Sequence, residues 1–152
     1  MVNKIKIYKT LTRNDTGETK SHQSGITIPK EIADTEIFPK LGINQLNPRI
    51  EIIFFDEEKT AWKFQYIYYN DIYFGKEKKK GHDEHRLTCV TKYIKQNSIK
   101  SGDSIWFSID ENNVRKIGFE RAKDEEKENE YDNNIIRLSN GWRYIEIKGG
   151  LR

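Results

Sequence analysis

Two stretches of this sequence concentrate side chains able to grip a polyanion or read the edges of bases. The first runs Arg13-Asn-Asp-Thr-Gly-Glu-Thr-Lys-Ser-His-Gln23. Arg13, Lys20 and His22 are donors suited to phosphate oxygens, and Asn14 and Gln23 carry the paired donor and acceptor that match a base edge. Asp15, Thr16 and Thr19 add acceptors and hydroxyls, while Gly17 and Gly25 permit close backbone approach. The same residues would equally make a solvated loop with Asx turns at Asn14 and Asp15, and composition alone leaves both readings open.

The second stretch, Phe74 to Arg86, holds five Lys or Arg, three acids and two histidines. Lys76, Lys78, Lys79 and Lys80 could neutralise several phosphates, and Arg86 and Glu84 are candidates for guanine and cytosine edges. His82 and His85 lie in the same polar segment, and a lysine run by itself is as well explained by solvation. Two further chemistries deserve weighing. His82, His85 and Cys89 have a loose zinc-like spacing without an evident fourth ligand, so no metal is expected. Asp132 with Glu146-Ile-Lys148 imitates the carboxylate-x-lysine part of a magnesium nuclease, but the forty or so residues after Asp110 are too few for the mixed α/β core that such a centre needs.

The elements that must carry these stretches are mostly short strands. Lys4 to Leu11 alternates with period two, Ile26 to Ile28 follows the first polar stretch, and Pro29 opens a helix to about Asp34. Arg49–Phe55 and Trp62–Tyr69 are β-branched or aromatic and flank a turn at Asp56 to Lys59. Thr91 to Gln96 reads as helical, Ile105 to Ile109 and Val114 to Phe119 as strands, and Ile135 to Lys148 as a hairpin turning at Asn140-Gly141. Thr12 to Gly25 and Gly75 to His85 are expected to be loops. The pattern predicts an all-β sandwich or barrel with small helices at its ends.

Charge supports a polyanion partner more than the formal net of +3 suggests. Lys123 to Asp132 is acidic, at −4, which leaves +7 on the rest, and residues 1–30 alone carry +4. One cysteine excludes an internal disulfide and fits a reducing, cytoplasmic setting, and no apolar run is long enough to span a bilayer.

The motif Asn14-Asp-Thr-Gly-x-Thr-x-x-His-Gln-x-Gly-x-x-Ile-Pro29, followed by Phe38-Pro39, Leu46-Asn-Pro48, Tyr68-Tyr-Asn70, Phe74-Gly-Lys76 and Arg86-Leu-Thr88, resembles the amino-terminal effector domain of EcoRII-type restriction endonucleases. Tyr93-Ile94-x-x-Asn97-Ser-Ile99-x-x-Gly102-Asp-x-Ile105-x-Phe107 is similar to the closing segment of the plant B-three DNA-binding domains. Together the two resemblances cover about residues 4 to 110. They imply a mainly β fold: a seven-stranded open pseudobarrel with short helices, here followed by a C-terminal β-hairpin.

They also imply two arms that enter the major groove of double-stranded DNA, Arg13 to Gln23 and Lys76 to Arg86. Tyr69, Asn70 and Thr88 join the DNA-binding set through the matched motifs. Extra Lys and His residues in the second arm, and Cys89 in place of a tryptophan, depart from the EcoRII pattern. On this reading residues 1–122 form the pseudobarrel, 123–134 an acidic linker, and 135–152 a hairpin packed on the barrel or leading to a further domain. The implied role is a non-catalytic effector or targeting domain of a prokaryotic type IIE-like restriction endonuclease. It would bind a CCWGG-like site as a monomer without a cofactor, and magnesium would matter only to an attached or partner nuclease. The alternatives are a small metal-dependent endonuclease using Asp132, Glu146 and Lys148, or a protein-interaction module with no nucleic-acid partner.

Overall fold

A computed structural model describes residues 3–19, 25–75, 81–122, 135–138 and 141–148. Its strands are β1 (Asn3–Thr10), β2 (Ile26–Ile28), β3 (Arg49–Phe55), β4 (Ala61–Tyr69), β5 (Glu84–Thr88), β6 (Ser104–Ile109), β7 (Arg115–Glu120), β8 (Ile135–Arg137) and β9 (Trp142–Lys148). Three short helices accompany them, α1 (Arg13–Thr16), α2 (Lys30–Ala33) and α3 (Thr91–Gln96), with a 3-10 turn at Asp71–Tyr73. Strands β1 to β7 are the expected seven, and β8–β9 is the expected C-terminal hairpin.

All nine described strands form one curled sheet in the order β2-β5-β4-β3-β7-β6-β1-β9-β8. Neighbours are antiparallel except β3 and β7, which meet in parallel through one residue pair, Phe55 and Lys116. Alternation decides which face turns inward. On β4, Trp62, Phe64, Tyr66 and Tyr68 are buried while Ala61, Lys63 and Gln65 are exposed, as a half-buried strand requires.

The inward side chains build one aromatic-rich core from Phe38, Phe54, Phe64, Tyr93, Phe107 and Trp142, with Ile7, Ile26 and Leu87 among the aliphatic fill. Fully burying a side chain of this size contributes roughly 1.5–3 kcal/mol. Curling brings the ends of the sheet together: Trp142 of β9 is 1% exposed, and its indole N–H donates to the Thr27 carbonyl of β2 at 3.2 Å. That bond satisfies an edge-strand carbonyl and closes the barrel where strand pairing does not.

One expected loop is structured. Thr12 to Gly25 begins with α1, because Thr12 and Asp15 form a reciprocal capping box: each side chain accepts the other residue's backbone N–H, at 3.1 and 2.9 Å. Gly17, at φ 84°, ends the helix in the left-handed region that glycine tolerates best. The second polar segment is also shorter than expected, since β5 already begins at Glu84.

Candidate nucleic-acid interface

The first arm is rooted on two elements. Leu11 exchanges backbone hydrogen bonds with the 100–103 turn, its N–H donating to Asp103 O at 2.8 Å and its carbonyl accepting from Gly102 at 2.9 Å. Glu18 accepts the Ser101 N–H at 2.8 Å, so both ends of α1 are tied to that turn. The Thr16 hydroxyl and the Ser101 amide hold the Glu18 carboxyl below its ordinary range. The turn itself is braced by Asp103, whose carboxylate accepts from the Lys100 and Ala122 amides and pairs with Arg121 at 3.2 Å. The Gly102-Asp103 pair matched in sequence is thus the platform of the first arm.

On leaving that arm the chain passes Gly25, whose φ is 93°; a Cβ there would lie 2.4 Å from the Leu87 carbonyl oxygen. Only glycine fits this crossing, which presses the arm's exit against the end of β5.

The second arm leaves β4 after Tyr69 and returns into β5 at Glu84. Its root is built around two carboxylates. Asp83 accepts from the Tyr68 hydroxyl at 2.6 Å, the Tyr73 hydroxyl at 3.2 Å and the Lys30 ammonium at 3.1 Å. The Tyr68 bond and the Lys30 pairing keep its carboxyl below the usual range against the opposing effect of burial. Asp71 accepts the His82 amide and meets His82 Nδ1 at 3.1 Å. Gly81 passes directly over Ile72, where a Cβ would clash with the backbone.

Between the roots lies the outer face of β5 and its neighbours. Glu84, Arg86 and Thr88 alternate outward, with Thr27 of β2 and Ile67 of β4 paired on either side of Arg86. The Arg86 guanidinium contacts Glu84 Oε1 through both Nε and Nη2 at 3.1 Å, and the two side chains are 24% and 30% exposed. A half-exposed guanidinium held flat by a neighbouring carboxylate is pre-oriented for planar, bidentate contacts. From Glu84 to Thr88 is roughly 13 Å at strand rise, close to the about 12 Å width of a B-DNA major groove.

The residues singled out in the sequence separate into three groups. Arg13, Asn14, Gly17, Thr19 and His82 are exposed on the arm roots, and Tyr69, Glu84, Arg86 and Thr88 are half-buried beside them. Lys20, His22, Gln23, Lys76, Lys78, Lys79 and Lys80 lie outside the described residues, as do Asp132 and the side chains of Glu146 and Lys148. The third group corrects the expected DNA-binding set.

Asn70 is fully buried and cross-braces Asn47 through the backbone N–H of each, while its amide donates to the Gly42 and Gln45 carbonyls. Thr16 is buried, and Asp15 serves the capping box and a 3.4 Å ion pair with Lys9, itself only 5% exposed. His85 points inward, stacked on Tyr68 at 4.2 Å and 6° and on Tyr66 at 5.7 Å and 19°. Burial makes Asn70 and Thr16 supports of the fold, and Asp15 and His85, both half-buried, are engaged in internal contacts. Burial, partly opposed by Asp83 and Asp34, depresses the His85 pKa and favours the neutral ring.

Thr27, Lys30 and Asp83 were missed. The polar Thr between Ile26 and Ile28 was a legible outward position, whereas the contact of Lys30 with Asp83 spans 53 positions and left no local trace.

The family model described as "Restriction endonuclease EcoRII, N-terminal" matches residues 2–105. Auxin response factor 16 of Arabidopsis thaliana is 33% identical over 117 residues, covering 76% of this chain and 15% of that protein. Auxin response factor 25 of Oryza sativa subsp. japonica is 31% identical over 115 residues, covering 75% of this chain and 11% of that protein. The chain thus spans only a small part of the length of these relatives. A solved structure described as an Arabidopsis FUS3-DNA complex superposes with a TM-score of 0.56 at 20% identity, over 76% of this chain and 96% of that one, and so shares its fold. With the matched segment running from β1 into β6 and containing both arm roots, the chain belongs to the family of EcoRII restriction endonuclease N-terminal domains.

Proposed function

We propose that this chain binds double-stranded DNA in a sequence-dependent manner and acts as a recognition module without chemistry of its own. The observation that carries the reading is the placement of the two arm roots at opposite ends of β5, with Arg86 and Thr27 facing outward between them. Phosphate contacts from the lysine-rich second arm would supply affinity, and Arg86 with the exposed side chains of the first arm would supply sequence preference. Family membership and a fold shared with a protein solved on DNA support this direction.

The finer role we propose is that of an effector or targeting domain in a restriction system. One copy would engage an asymmetric, CCWGG-like site and hold or activate a nuclease domain or subunit. Occupying a second DNA copy raises the local concentration of substrate or biases the nuclease towards its active state.

Selection of bound duplexes from a random pool tests the reading, followed by competition between the enriched duplex and random DNA. We expect enrichment of one short motif, and a loss of discrimination of about 1–3 kcal/mol at one base pair in Arg86→Ala. A pool that stays random after repeated selection refutes sequence-dependent binding.

A further inference from the structure

A cleft of about 320 Å³ opens where the turn between β3 and β4, the end of α3, and β7 meet. It lies at the start of β4, eight residue steps or roughly 26 Å along that strand from the departure of the second arm. Its rim carries Asp56, Glu57 and Glu58, its walls are the rings of Trp62, Tyr93 and Phe119, and none of the described residues lining it is Lys, Arg or His.

The Asp56 carboxylate is fixed: it accepts from the Glu58 and Thr60 amides and from the Trp62 indole, each at 2.9 Å. Burial opposes its charge, but these bonds hold its carboxyl below the usual range, so it stays ionised. Glu57 and Glu58 are exposed beside it. Tyr93 stands edge-on to Trp62 at 5.0 Å and 85° and near Phe119 at 6.4 Å and 76°. Tyr93 is 1% exposed, lines the cleft, and its hydroxyl makes no hydrogen bond among the described residues. Arg121 lies 4.8 Å from the Phe119 ring centroid and is already paired with Asp103, and Lys59, in the rim turn itself, is exposed to solvent.

We infer that this cleft receives a cationic side chain, a guanidinium or ammonium, from a basic segment of a partner protein. Fixed negative charge at the rim attracts the cation, the aromatic side chains lining the cleft limit the water around it, and the Tyr93 oxygen, without a hydrogen bond among the described residues, offers an acceptor. The same charge repels a phosphate backbone. The cleft therefore suits a protein contact made while the distant arms hold DNA.

The test titrates ¹⁵N-labelled protein with an acetylated hexapeptide containing three arginines, with its citrulline counterpart, and with spermidine, following the Trp62 indole and the amides of residues 57–60. We expect saturable shifts confined to the cleft with the arginine peptide, and much smaller ones with the citrulline peptide. In the double variant Glu57→Gln/Glu58→Gln, whose side chains are exposed and outside the core, affinity should fall at least about five-fold. Equal shifts with the citrulline peptide, or unchanged affinity in the double variant, would overturn the inference. Spermidine binding as tightly as the peptide would overturn the protein assignment in favour of a free polyamine. Because DNA plays no part in these titrations, their outcome is independent of whether the selection experiment finds a motif.

Discussion

Replacing Trp142 by Phe tests whether the C-terminal hairpin is an integral part of the barrel. The indole is 1% exposed, stacks on Phe107 at 6.3 Å and 27°, and donates to the Thr27 carbonyl. Phenylalanine keeps most of the apolar volume but removes the donor. Losing the bond costs about 1 kcal/mol, and leaving a poorly solvated carbonyl without its partner adds to that, for a total of roughly 2 kcal/mol. Trp142→Ala also opens a cavity and should cost about 3–5 kcal/mol. Urea unfolding with an unchanged m-value measures both. Deleting residues 123–152 should be more damaging still, because it strips β1 of its seven-residue pairing with β9. If Trp142→Phe stays within about 0.5 kcal/mol of the parent and the truncated chain melts at the parent's temperature, the closure argument is wrong.

Three more outcomes follow from the arm roots. Asp83→Asn removes the charge that binds Lys30 and weakens the bonds from Tyr68 and Tyr73; duplex affinity should fall several-fold with little change in melting temperature, and an unchanged affinity would show that the root does not order the arm. His85 has a folded pKa below its ordinary 6.5, so the unfolded chain binds the extra proton. Stability from this site should be complete above about pH 6.5 and decline as pH falls below it, and a pH 5–7 stability profile whose slope is the same in His85→Phe would contradict this. Each single Ala replacement among Lys76, Lys78, Lys79 and Lys80 should weaken specific and random duplexes alike and reduce the salt slope by about one, so four unchanged slopes would remove the phosphate role.

What the sequence disclosed and what it hid divide along physical lines. Strands such as Arg49–Phe55 and Trp62–Tyr69 were legible because aromatic and β-branched residues alternate over enough positions to mark a buried face. Helix α1 was overlooked, although Thr12 and Asp15 have capping-box spacing, because a four-residue helix leaves no apolar period. Polar character marked the two segments but could not assign individual roles. Asn70 and Asp15 have groove-reading chemistry, yet the fold uses them as a buried brace and a helix cap. The partners of Asn70, Gly42 and Gln45, lie more than twenty positions away, so no local pattern reveals them. Arg86 and Glu84, named in the sequence as candidates for guanine and cytosine edges, come to lie side by side because i and i+2 on a strand share a face.

The single residue pair joining β3 to β7 bears on the order in which the molecule assembles. On one side of that seam, β3, β4 and β5 are successive antiparallel neighbours within residues 49–88, joined through residues 56–60 and 70–83. On the other, β1 must find β6 about a hundred positions later and β9 about 140 positions later, a much slower search. During synthesis β1 emerges first and waits longest, with both edges unpaired. Its Lys-Ile-Lys-Ile alternation is well suited to that wait, because charges at every second position discourage pairing with another nascent chain. Neutralising Lys4 and Lys6 should therefore lower soluble yield more than it lowers the stability of protein that has already folded.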